Sequence, residues 1–83
     1  MTTIFRMTVY MWQPFSAPAE VSFGYQPARG EFAVWYPSHL PMDHHYCLIP
    51  TGSSIPAEFV RIVDTVLMPD GFEVYHLLEI KKP

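Results

Sequence analysis

Four residues in the middle of the chain, His39, Asp43, His44 and His45, carry side chains that ligate metals or move protons. A catalytic zinc needs three convergent ligands. Adjacent residues of a strand point to opposite faces, so His44 and His45 serve one ion only if the preceding loop turns His39 and Asp43 back toward one of them. The pattern predicts no metal site. Cys47, the single cysteine, lies two residues beyond His45 on the same strand face. That is the spacing of a thiol–imidazole pair, but nothing nearby supplies an oxyanion hole, and a small buried thiol is the expectation. His76, alone among Phe72, Val74, Leu78 and Ile80, reads as a satisfied core histidine, a buried imidazole that needs one partner at each nitrogen. No nucleophile, paired carboxylates or metal box emerges, so the chain is read as non-enzymatic and without a cofactor.

Anion binding is the second chemistry on offer. Arg6, Tyr10 and Trp12 fall on one side of an N-terminal strand, where a guanidinium beside two aromatic rings makes either a stacking platform or ordinary surface cover. Thr51, Gly52, Ser53 and Ser54 have the composition of an anion-binding nest or of a plain tight loop, with Gly52 free to take a left-handed backbone. The spacing of a phosphate loop is absent. If a small anion binds, Arg6 and the 51–54 loop hold its charge while Tyr10 or Trp12 stacks on its ring.

Composition narrows the partners. The net charge is −3, and the five Lys plus Arg are isolated except for Lys81 and Lys82, which argues against a nucleic-acid polymer. No run reaches the ~20 apolar residues of a membrane span, and positions 1–12 lack the parts of a secretory signal, so a cytoplasmic location is expected. A chain of 83 residues has a thin core, yet this one is 49% hydrophobic and 16% aromatic. With no disulfide to help it, self-association is the expected way to bury the excess.

The elements that position these residues read as one domain, 1–83. Strands are expected over 3–12, 20–26, 31–36 and 44–49, followed by two strands joined at Met68-Pro69-Asp70-Gly71, where Pro sets φ and Gly closes a bulged hairpin. Along the last strand Phe72, Val74, His76, Leu78 and Ile80 form a nearly continuous apolar face, read as core. Glu73, Tyr75, Leu77 and Glu79 form a mixed face suited to a partner subunit. Segment 13–18 is read as a loop on account of its two prolines, Gly24 as a possible bulge site, and 56–60 as one short helical turn. The fold class is mainly β: a single small antiparallel sheet, curled into a partly closed barrel or a sandwich.

Ile4-Phe5-Arg6 at the start, the aromatic strand Phe32-Ala33-Val34-Trp35, Thr51-Gly52 followed by Ile55-Pro56, and the closing Val74-Tyr75-His76-Leu77-Leu78-Glu79 resemble a family of short, uncharacterised phage and prophage proteins. Ser53-Ser54 stands where a His is frequent after Thr-Gly in that family, and Leu78 where an aromatic is frequent. The resemblance implies a viral product made in the cytoplasm of a bacterial host, where small proteins of this kind often block defence. Two functions follow as expectations. One is an oligomeric sponge that sequesters a small host nucleotide signal. The other is a protein-interaction inhibitor that grips a host defence enzyme through exposed aromatics.

Overall fold

A computed structural model of the chain describes residues 2–82. Among them are seven strands, β1 (Ile4–Val9), β2 (Phe15–Ala17), β3 (Ser22–Gln26), β4 (Glu31–Pro37), β5 (His44–Pro50), β6 (Phe59–Leu67) and β7 (Val74–Ile80), and no helix. They form two antiparallel sheets, β1-β4-β3 and β2-β5-β7-β6, neither closed into a barrel. The mainly β class expected from the sequence is the class observed, as a sandwich of two sheets rather than one sheet curled on itself.

Alternation decides what the sandwich buries. Val9, Val34 and Tyr36 from one sheet meet Ala17, Tyr46, Leu48 and Leu77 from the other, with Met7, Phe23, Phe32, Val63 and Tyr75 packed around them. Phe23 and Phe32 stack at 5.8 Å, and Phe32 leans on Tyr75 of the opposite sheet at 4.9 Å. Each fully buried Val or Leu side chain in this layer contributes about 1.5–3 kcal/mol. This core corrects the reading of the last strand. Tyr75 and Leu77 face inward, whereas Leu78 and Ile80 join Cys47, Ile49 and Phe59 in a second cluster on the outer side of the four-stranded sheet.

Three further expectations change. Segment 13–18 holds a short strand, because Phe15 stacks on Tyr46 at 5.5 Å, Ala17 is fully buried, and the carbonyl of Pro18 accepts the Tyr46 hydroxyl at 2.7 Å. A proline on each side still leaves three residues able to pair with β5. The expected helical turn at 56–60 is a single tight turn, closed by the Phe59 amide on the Pro56 carbonyl. Gly24 carries no bulge: it pairs in register with Ala33 and lies against the Trp35 ring, which an added Cβ would meet at 3.6 Å, an ordinary contact. The C-terminal hairpin forms as expected, with Gly71 at φ 78°.

Candidate functional site

The structure separates the ligand set expected from the sequence into three places. Arg6 lies on the outer face of the three-stranded sheet, opposite Trp35. Its Nε donates to Gln26 Oε1 at 2.6 Å, its Nη1 to Thr8 Oγ1 at 2.8 Å, and its Nη2 stands 3.8 Å from Glu31 Oε2. Glu31 also accepts from the Thr8 hydroxyl and from Arg29. The hydrogen bonds from Arg29 and Thr8 hold the Glu31 carboxyl below its ordinary range. Arg6 is therefore a clamp that ties β1 to the β3–β4 hairpin through Nε and Nη1, while Nη2 is buried with no hydrogen-bond partner and has Glu31 only at ion-pair distance.

Tyr10 and Trp12 do not share that face. Strand β1 stops at Val9, and Trp12 adopts φ 67°, in the left-handed region uncommon for a bulky residue. Here the chain crosses to the other sheet, where Met11 bridges to Leu48 and the Trp12 amide donates to the Leu48 carbonyl at 2.9 Å. Tyr10 and Trp12 remain exposed on this crossover.

Thr51, Gly52 and Ser53 border a third place, an apolar pocket of about 180 Å³ on the outer side of the four-stranded sheet, completed by Ile49, Pro50, Ile55, Ile62, His76 and Leu78. Gly52 takes φ 91°, as its place in the turn requires. His76 forms part of the wall with both nitrogens occupied, Nε2 by Thr51 Oγ1 at 2.7 Å and Nδ1 by Thr65 Oγ1 at 3.0 Å. Both nitrogens are partnered as expected, but the ring is partly exposed on the outer face of the sheet rather than a core histidine. Ser54 is exposed beside the pocket rather than part of its lining.

The remaining reactive residues are also held by neighbours. His44 Nδ1 donates to Glu79 Oε2, and Arg61 Nε to Glu79 Oε1, both at 2.9 Å. Burial pushes the Glu79 carboxyl up, but these two partners together outweigh it and leave the group below its ordinary value of 4.5. His45 Nδ1 is 3.2 Å from Ser16 Oγ. Cys47 is buried, and that burial raises its thiol pKa away from the reactive thiolate. Among the described residues no group of three His, Cys, Asp or Glu side chains lies close enough to hold a metal ion.

A further cleft has the size of a ligand site. Its volume is about 470 Å³, and it lies at the end of the three-stranded sheet where Ile4 faces Pro37 and Ser22 faces Trp35. Small-molecule sites span about 300–1,000 Å³. Trp35 offers an aromatic ring, Glu20 a carboxylate that only accepts hydrogen bonds, and Ser22 a hydroxyl that does either. Arg6 contributes nothing to this cleft, because its partners Gln26 and Glu31 sit at the opposite end of the same hairpin. The sequence alone carries no pairing register, and only the β3–β4 ladder sets Trp35 beside Ser22. With the geometry in hand, the comparison with known proteins is brief: no family model, no curated protein and no solved structure matches this chain.

Proposed function

We propose that the chain is a phage-encoded binding protein with no catalytic step, acting as a homo-oligomer in the bacterial cytoplasm and sequestering a small nucleotide signal by its base. The observation that carries this reading is the 470 Å³ cleft, which combines the Trp35 ring with the carboxylate of Glu20 and the hydroxyl of Ser22. A planar base stacks on the indole while its ring and exocyclic N–H groups donate to the carboxylate. Phosphates stay toward solvent, since the cleft's one charged group is negative.

A melting experiment with a panel of nucleotide signals tests this. A ligand bound only by the native state at 100 times its dissociation constant adds about 2.7 kcal/mol, and each kcal/mol raises the midpoint of a domain this size by about 4–8 °C. Trp35→Ala removes a stack worth about 1–3 kcal/mol. Glu20→Gln, at an exposed position, removes the acceptor charge without disturbing the fold. Both variants are expected to reduce or abolish the shift, and heat should release the ligand intact. A panel that leaves the parent's midpoint unmoved overturns the reading. It would then favour inhibition of a host defence protein, which the exposure of Tyr10 (60%) and Trp12 (53%) on the crossover supports as a second reading.

A further inference from the structure

The outer face of the four-stranded sheet holds a socket and, beside it, a side chain of the right size to fill one. The socket is the 180 Å³ pocket lined by Ile49, Ile55, Ile62 and Leu78, and about 150 Å³ of apolar cavity is enough for a benzene ring. Among its lining side chains none is charged, and Thr51 Oγ1 and His76 Nε2 already bond each other. That leaves the Ser53 hydroxyl as the one free polar side-chain group in an otherwise apolar lining, so the socket suits an apolar occupant.

The side chain is Phe72, 89% exposed. It is not on a loose tip: Asp70 Oδ1 accepts the Phe72 amide at 2.9 Å and the Glu73 amide at 3.4 Å, and the Met68 amide donates to the Glu73 carbonyl at 2.8 Å. Phe72 shares a shallow groove with Pro50 and Thr51, and the same two residues border the pocket. Ring and socket are thus neighbours on one molecule. A two-fold axis near Thr51 satisfies both pairs at once and closes the assembly, whereas a ring and socket at opposite ends would produce a filament.

We infer that two copies of this chain form a closed dimer through this face, each seating its Phe72 in the other's pocket beside His76. The area is adequate. Taking a large side chain at about 200 Å², the exposed fractions of Ile55, Ile62 and Phe72 amount to about 400 Å² of apolar surface. That is roughly half of the ~800 Å² per partner in a standard interface, the share expected of an apolar centre within a polar rim. Thr51, Gly52, Ser53 and Ser54 supply the rim nearest the axis. Pairing of two copies through the long edge strand β6 of this sheet is disfavoured, because its ladder is broken by two register shifts.

This inference specifies the homo-oligomer reading and does not depend on the nucleotide cleft, which lies on the other sheet. Light scattering coupled to exclusion chromatography over about 1–200 μM tests it. The parent should run at twice its 9.6 kDa chain mass. Phe72→Ser should raise the dissociation constant by at least about thirtyfold, as loss of an interface anchor does, while Phe72→Leu keeps most of the association. Ile62→Glu, at the socket's rim, should weaken it independently. Both sites are exposed, so each variant should keep the parent's circular dichroism spectrum. A parent that stays at monomer mass throughout, or a Phe72→Ser variant that dimerises like the parent, overturns the proposal. Nucleotide-induced melting shifts should persist in the Phe72→Ser monomer, so the two ideas fail separately.

Discussion

The two outer faces of the sandwich are finished in opposite ways. On the three-stranded sheet Arg6, Thr8, Gln26, Arg29 and Glu31 close a polar network, and the Trp35 ring lies over Gly24. On the four-stranded sheet Cys47, Ile49, Leu78 and Ile80 make a buried apolar cluster, and Ile55 and Ile62 remain more than half exposed around it. A thin sandwich has two surfaces beyond its core, and hydrogen-bonded charges complete one of them within the monomer. The other has apolar surface left over, at the size where a monomer's patches begin to mark binding sites.

The largest expected effect comes from crossing between the inner layer and that outer face. Leu77→Glu puts a carboxylate into a fully buried position of the inter-sheet core, at a cost of several kcal/mol. A domain of this length holds about 4–12 kcal/mol in all, so circular dichroism should show little or no cooperative melting. A folded Leu77→Glu monomer would mean that Leu77 belongs to a subunit contact after all. Next in size is Arg6→Ala, which removes two charge-assisted bonds from a partly buried guanidinium. The expected loss is about 1–3 kcal/mol, or roughly 4–24 °C in midpoint, with the oligomer mass unchanged. A shift below about 2 °C would show that the polar network covers the sheet without securing it.

The smallest effect is an acid-side one. Because the folded-state carboxyl of Glu79 titrates below 4.5, its contacts with His44 and Arg61 contribute fully above that pH and are lost as the pH falls through the lower folded value. Melting midpoints of the parent should therefore drop more steeply below about pH 4.5 than those of Glu79→Gln. Parallel curves for the two proteins would remove Glu79 from the account.

Local chemistry made the hairpins legible. Gly71 after Pro69-Asp70 sits at positive φ in a hairpin turn of the expected kind, and Gly30 after Pro27 takes positive φ in the turn between β3 and β4. Which face of a strand becomes core was not legible from β7 alone. Phe72, Val74, His76, Leu78 and Ile80 are together more apolar than Tyr75 and Leu77, yet the core takes the latter pair because Phe32 and Val34 wait on the opposite sheet to meet them. Likewise β2 is three residues long and gains its stability from Tyr46, about thirty positions away. The break after Val9 left no mark in the alternation, so Arg6, Tyr10 and Trp12 looked like one face when only Arg6 remains on the sheet.

The order in which the strands enter the two sheets also governs how the chain can be made. Strand β1 joins the first sheet, β2 the second, β3 and β4 the first again, and β5 to β7 the second. β1 has no pairing partner until Glu31–Pro37 exists, and β2 none until His44–Pro50 does. On a ribosome the β1 segment therefore waits, unpaired, until β4 has been made, with Ile4, Phe5, Met7 and Val9 uncovered. Folding in this order places the chain among slow non-local β topologies, and the interval before β4 closes over β1 is when an unfinished chain is most exposed to aggregation.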